Sequence, residues 1–230
     1  DNMIGDFNYW AIPYNAPNKA AALVYANLVL EPTLQAAQVQ PANGFCCGWG
    51  ISTAKVTSSD GVAAIQDAQN NLGWIYQYGE SVPQDNKLAV SWYIKAAEQE
   101  NDKAQDNLGW MYQNGYGVTK NLKKAFEFYE KSANQGYADA QSNLGWMYYH
   151  GEGASQDYKL ALSWYKKAAE KGNADAQFNI GVMYEYGKGV DEDYKQAVLW
   201  YKKSAEQGDT RAQLNLALMF KHGMGVSEDF

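Results

Sequence analysis

Leu72-Gly73-Trp74-Ile75-Tyr76 returns as Leu108-Gly109-Trp110-Met111-Tyr112, and again as Leu144-Gly145-Trp146-Met147-Tyr148. It comes back as Ile180-Gly181-Val182-Met183-Tyr184 and, degraded, as Leu216-Ala217-Leu218-Met219-Phe220. The step is 36 residues each time, with no insertion. Ala68, Ala104, Ala140, Ala176 and Ala212 keep the same step, as do Asn71, Asn107, Asn143, Asn179 and Asn215. So do Trp92-Tyr93, Phe128-Tyr129, Trp164-Tyr165 and Trp200-Tyr201 in the second half of each repeat. A fixed period of this length marks an array of stacked supersecondary units.

Each repeat reads as a helix hairpin. Ala68, Leu72, Ile75, Tyr76 and Gly79 fall at i, i+4, i+7, i+8 and i+11, one apolar face of a 3.6-residue period. Gly79, Gly115, Gly151, Gly187 and Gly223 stand where a helix ends in a left-handed residue. Asp85, Asn121, Asp157 and Asp193 then stand where an N-cap acceptor is needed. The second helix carries Ala89, Trp92, Tyr93, Ala96 and Ala97 on one face, and Gly136, Gly172 and Gly208 close it, with Glu100 in the first repeat. The Gly73 column lets the two helices approach closely, and the Tyr76 and Tyr93 columns fill the space around it. A single hairpin cannot bury its apolar face, so the repeats must stack into an all-α solenoid. The spacing predicts repeats at 67–102, 103–138, 139–174 and 175–210, a partial one at 211–230, and a separate N-terminal segment at 1–66. In that reading the Leu72 and Tyr76 columns are buried.

The combined pattern, Ala-x-x-x-Leu-Gly-x-Met-Tyr-x-x-Gly-x-Gly-Val-x-x-Asp followed by Ala-x-x-Trp-Tyr-x-Lys-Ala-Ala-Glu-x-Gly, resembles the Sel-one-like repeat (SLR) family, a sister of the tetratricopeptide repeats. The resemblance covers residues 67–230. It implies a right-handed superhelix whose concave surface holds proteins or peptides, without shared catalytic residues. It also implies a bacterial protein of the periplasm or cell envelope, with the cytoplasm as the alternative.

Residues 1–66 stand outside the period. Asn8–Ile12 reads as a strand, Lys19–Leu30 as a helix, and Pro32–Gln38 as a shorter helix, so this segment is of mixed structure. The run from Asn8 to Ala21, with Ala26-Asn27-Leu28 and Glu31 to Gln35, resembles the C-terminal end of extracellular solute-binding proteins of ABC importers. It lacks the two lobes that would hold a solute, so it reads as the tail of a larger domain or a fusion remnant. Pro41–Gly50 reads as a linker.

With 46% hydrophobic and 20% charged residues, the 230-residue chain has the balance of a folded globular protein. Its net charge of -7 argues against nucleic acid, whose binding needs clustered cations. No apolar run reaches the ~20 residues that span a bilayer, so no membrane insertion is expected. Cys46 and Cys47 are adjacent and form no metal or disulfide framework.

Several motifs fail. Ser52-Thr53-Ala54-Lys55 and Ser163-Trp164-Tyr165-Lys166 match Ser-x-x-Lys, but no Lys-Thr-Gly or Ser-Asp-Asn accompanies them. The repeat cysteines that mark β-lactam-linked SLR relatives are missing from the repeats. His150 and His222 lie two repeats apart, too far to share a metal. The Gly-x-Gly pairs follow helices, so they are turn glycines and not dinucleotide loops. No catalytic residue, metal or cofactor is expected.

The remaining expectation is a binding surface for a protein or peptide segment. Alignment with tetratricopeptide helices places Asn70, Trp74, Gln77 and Tyr78 on the groove side of the first helix. The equivalent residues are Asp106, Trp110, Gln113 and Asn114, then Ser142, Trp146, Tyr149 and His150, then Phe178, Val182, Glu185 and Tyr186. The three tryptophans read as a ladder of aromatic anchors; packing between neighbouring repeats is the competing reading for them. The Asn71 column reads as structural, holding a loop carbonyl. Lys95, Lys131, Lys167 and Lys203 read as a solvated convex face. The function expected is a non-enzymatic scaffold or adaptor. Its rivals are an accessory component of a solute importer and, from the Ser-x-x-Lys strings, a hydrolase. The fifth repeat lacks its second helix within 211–230, so Leu216 and Phe220 are expected to pack back on the fourth repeat while part of Met219 and the loop around Met224 face water; a piece of a longer array or end-to-end self-association with another copy is the expectation.

Overall fold

The computed structural model describes residues 59–80 and 82–225. The N-terminal strand, helices, linker, importer-like tract and Cys46-Cys47 lie outside the described residues. Nine helices fill what is described: α1 (Ser59–Tyr78), α2 (Asn86–Ala97), α3 (Asp102–Asn114), α4 (Leu122–Gln135), α5 (Ala138–His150), α6 (Tyr158–Glu170), α7 (Ala174–Glu185), α8 (Tyr194–Glu206) and α9 (Thr210–Lys221). No strand occurs among the described residues. The chain is an all-α helical repeat solenoid. It divides into two compact bodies, the first ending at Ala104 with Tyr116–Val118 added, the second holding Gln105–Gly115 and Thr119 onward.

Local chemistry sets the helix ends. The Oδ1 of Asp85, Asn121, Asp157 and Asp193 accepts from backbone N–H groups of the first turn of α2, α4, α6 and α8, at 2.9–3.0 Å. The same cap residues donate their own N–H to the carbonyls of Tyr76, Tyr112, Tyr148 and Tyr184, each at 2.9 Å, which ties every loop to the helix before it. Gly136, Gly172 and Gly208 close the second helices with φ of 97°, 86° and 92°. Glu100 takes that place in the first repeat with φ 65°, a left-handed conformation that disfavours a non-glycine by roughly 1–2 kcal/mol.

The hairpins close on a ring-to-backbone contact. In the first body, a Cβ added at Gly73 would lie 2.5 Å from the Tyr93 ring. In the second body, Gly109 meets Tyr129, Gly145 meets Tyr165 and Gly181 meets Tyr201, at 2.6, 2.8 and 2.6 Å on the same measure. All four tyrosines are buried to within 1% of complete. Glycine is required here because the ring occupies the space of its side chain. The second loop glycine serves stacking: a Cβ at Gly189 would lie 2.6 Å from the Tyr158 carbonyl oxygen of the previous hairpin.

Around each ring the core is small and repetitive. Ala125, Ala133, Ala140, Leu144 and Met147 surround Tyr129, and Ala161, Ala168, Ala176, Ile180 and Met183 surround Tyr165. The Leu72 column is buried through Ile180 as expected, whereas Tyr76, Tyr112, Tyr148 and Tyr184, expected to be buried, are only half-buried. Outer glutamines reach across to buried ones on the first helices: Gln99 donates to Gln69, Gln135 to Gln105 and Gln207 to Gln177, at 2.5, 2.8 and 2.8 Å. The matching position in the third repeat is Lys171, which donates to the Gly136 carbonyl instead. Gln141 Oε1 is left buried without a hydrogen-bond partner as a result.

The end of the array differs from the expectation. Met219 is buried, 1% exposed, because α9 turns it onto Ala197, Tyr201 and Ala212. Leu216 and Met224 are half-buried against the same cluster, while Leu214, Leu218 and Phe220 are exposed. Ala217 stands where the other four repeats have the tyrosine-facing glycine.

Gly145→Ala should destabilise the chain by about 1–3 kcal/mol, the usual cost of overpacking, as read by urea unfolding. A change below about 0.5 kcal/mol would mean that the Tyr165 ring moves aside freely.

Candidate partner-binding face

The first helix of each hairpin carries the candidate residues, and the tyrosine contact decides which way they turn. Tyr93 Oη donates to Gln77 Oε1 at 2.5 Å, Tyr129 Oη to Gln113 Oε1 at 2.8 Å, and Tyr201 Oη to Glu185 Oε2 at 2.5 Å. Burial pushes the phenols of Tyr93, Tyr129 and Tyr201 well above the ordinary tyrosine range, so they stay protonated donors. Position 149 of the third repeat holds Tyr149 in place of the glutamine.

These bonds correct the expected surface. Gln77 is 5% exposed and spent on the hairpin, and Gln113 and Glu185 face the same way. Asn70 and Ser142 are buried. The open stripe is turned toward the next residue: Asn71 is exposed where Asn70 is not. On α5 it consists of Asp139, Asn143, Trp146 and His150, at i, i+4, i+7 and i+11. Asn143 Nδ2 donates to Asp106 Oδ1 at 2.9 Å, so this asparagine binds the preceding first helix and not a loop carbonyl.

The other candidates divide by burial. In the first body Trp74 is 38% exposed, with the exposed Tyr78 ring 5.0 Å away. In the second body Trp110 is 37% exposed, and Asn114 Nδ2 donates to its carbonyl at 2.9 Å. Trp146 is half-buried: it packs against the hydrophobic clusters of two successive hairpins and lies 4.3 Å from the exposed His150 ring. Tyr149 is half-buried between His150 and Tyr158, at 5.0 and 5.1 Å, and Tyr186 is exposed. Trp146 thus mixes packing with display.

The lysine columns do more than face water. Lys95 Nζ sits 4.0 Å from the Trp92 ring centroid, Lys167 3.7 Å from Trp164 and Lys203 4.1 Å from Trp200, with Lys131 5.6 Å from Phe128. Each lysine follows its aromatic by three residues, so one helical turn brings ammonium and ring together. That i, i+3 spacing was legible in the sequence. No group of three or more His, Cys, Asp or Glu among the described residues could hold a metal. No helix among them is long and apolar enough to cross a membrane.

Gln113→Leu should cost about 1–3 kcal/mol, because the buried Tyr129 hydroxyl loses its acceptor, whereas Asn114→Leu should stay within about 0.5 kcal/mol. Equal losses in paired thermal melts would return Gln113 to the display surface.

Comparison with known proteins bears on the whole repeat region. The Sel1 repeat model matches residues 66–101, 102–137, 138–173, 174–209 and 210–230. A protective antigen of uropathogenic Escherichia coli with the SLR fold is 40% identical, with a TM-score of 0.68, over 73% of this chain and 36% of that one. The chain therefore spans about a third of that antigen's structure. A Sel1 repeat protein from Oxalobacter formigenes is 36% identical, with a TM-score of 0.66, over 90% of this chain and 79% of that one. Comparison with curated proteins finds no match. Sel1 repeats are generally a non-catalytic fold that serves as a scaffold for protein–protein interaction. With five consecutive repeats from residue 66 to 230, the chain belongs to the Sel1 repeat family.

Proposed function

We propose that this chain is a non-enzymatic adaptor that holds a protein or peptide segment on the exposed stripe of its first helices. The observation that carries the reading is Trp110. A tryptophan left more than a third exposed on a helix whose Leu108 and Met111 are fully buried has been kept out of the core, and such rings anchor partner chains. Within the second body His150 and Tyr186, at the C-terminal ends of α5 and α7, are likewise exposed; in the first body, taken by itself, Trp74 and Tyr78 are exposed on α1. Trp146 contributes its outer edge only. Asn70, Gln77 and Gln113 leave the proposed contact set, and Asp139 and Asn143 enter it. The repeats at 67–230 are the binding part in this reading; α1 (Ser59–Tyr78) crosses the 66/67 boundary, so residues 59–66 extend the first helix of the first repeat.

The experiment is capture of partners by the purified chain, with and without Trp110→Ala. The substitution should abolish capture of at least one specific protein. It should lower stability by much less than the ~3–5 kcal/mol of a core Trp→Ala change. Unchanged capture would remove the stripe from the function.

A second contact, end-to-end self-association through α9, is supported by the exposed Leu214, Leu218 and Phe220. Sedimentation equilibrium should give a concentration-dependent dimer that Leu218→Glu abolishes. A monomer at about 100 μM, a concentration that would populate even a micromolar dimer, would end this part of the proposal.

A further inference from the structure

We propose that the N-terminal segment docks residues 19–30 as a helix on α1 and α2, in the place where α5, α7 and α9 each meet the second helix of the preceding hairpin. This goes beyond the adaptor reading and does not depend on it.

Each first helix of the second body has a face that looks back along the array, and three positions mark it. Met147 shares a cluster with Tyr129 of α4, Met183 with Tyr165 of α6, and Met219 with Tyr201 of α8. Trp164 packs on the α4–α5 cluster and Trp200 on the α6–α7 cluster, and both stay half-buried. The glutamine amides reach the same way: Gln141 Nε2 donates to the Ala133 carbonyl, Gln177 to Ala169 and Gln213 to Ala205, at 3.2, 3.4 and 3.3 Å.

In the first hairpin Ile75, Trp92 and Gln69 hold these three positions, but the described residues of the first body supply no helix before α1. Ile75 is nevertheless only 7% exposed, and Trp92, at 8%, is deeper than Trp164 or Trp200. Trp92 Nε1 is buried with no hydrogen-bond partner, although a buried indole N–H normally has one. The face therefore has a cover, and the cover must bring a hydrogen-bond acceptor to it.

Sequence register says where the cover comes from. Counting 36 residues back from α2 gives 50–61, but α1 already takes 59–61 and leaves no room for a turn. The cover thus lies further upstream. Between residues 19 and 30 only Lys19 and Asn27 interrupt an alanine, leucine, valine and tyrosine run. As a helix it is apolar on every side and needs burial, and it is too short to span a bilayer. Ala21, Val24, Tyr25, Leu28 and Val29 repeat the spacing of Ala89, Trp92, Tyr93, Ala96 and Ala97, with tyrosine at the same place. Its last-turn carbonyls, which helix geometry leaves open, are the acceptors for Gln69 and Trp92. Residues 31–58 reach about 90 Å at full extension, against about 30 Å for the length of α1, so the connection sets no obstacle.

Nuclear Overhauser spectra of the full chain, labelled at isoleucine δ1, leucine and valine methyl groups, test this directly. The Ile75 δ1 methyl should show cross-peaks to Val24, Leu28 or Val29. A sample mixed from two labelling patterns separates contacts within one chain from contacts between copies. Hydrogen exchange supplies the second measurement. Val24→Asp with Leu28→Asp should let the amides of α1 and α2 exchange about tenfold faster, with α5 to α8 unchanged. Leu34→Asp, in the neighbouring 32–38 stretch, should change α1 and α2 by less than about twofold. Ile75 cross-peaks that reach no residue of 19–30, or that run only between chains, overturn the proposal. So does exchange in α1 and α2 that is unchanged in the double variant or equally raised by Leu34→Asp.

Discussion

The fold depends on a tyrosine ring laid on the backbone of a glycine. In four successive hairpins the ring fills the volume a side chain would need, and the two helices close to that distance because nothing intervenes. Everything else in the hairpin is set around this contact. Alanines line the approach, leucine or isoleucine and methionine seal the sides, and a capped loop returns the chain at the required length. The dominant gain is apolar burial and dense packing, with the cross-helix amide pairs satisfying polar groups that the close approach would otherwise strand.

The same contact governs the surface. Because the ring enters from the second helix, its hydroxyl emerges beside the residue sixteen positions earlier, and in three hairpins that residue is Gln77, Gln113 or Glu185. Those side chains are drawn inward, and the outward stripe runs through Asn71 in the first body and through Asp139 and Asn143 in the second. A core constraint therefore selects which polar residues remain for a partner.

Much of this was legible before any coordinates. The period, the helix pairs, the Asp and Asn caps, the left-handed glycines and the burial of the Leu72 and Tyr93 columns all follow from spacing and residue type. The rotation of the stripe was not read, because a 3.6-residue wheel places Asn70 and Asn71 on either side of Trp74 with no local cue between them. Only the partner of the tyrosine hydroxyl distinguishes them, and that partner lies on another helix. The lysines over Trp92, Trp164 and Trp200 were missed for the opposite reason: the cue was local, but a lysine column on an outer face reads as solvent-exposed by default. The fate of Met219 depended on how α9 rolls on α8, which the sequence period does not specify.

Ala217 bears on how such an array can grow. A gene with a 108-nucleotide internal period is prone to unequal recombination, and an extra copy inserted among the first four hairpins would find every tyrosine facing a glycine. On α9, Ala217 and Lys221 stand in place of that glycine and of the residue that takes the tyrosine hydroxyl, so an added copy keeps the full ring-to-backbone contact where it lands among the first four hairpins.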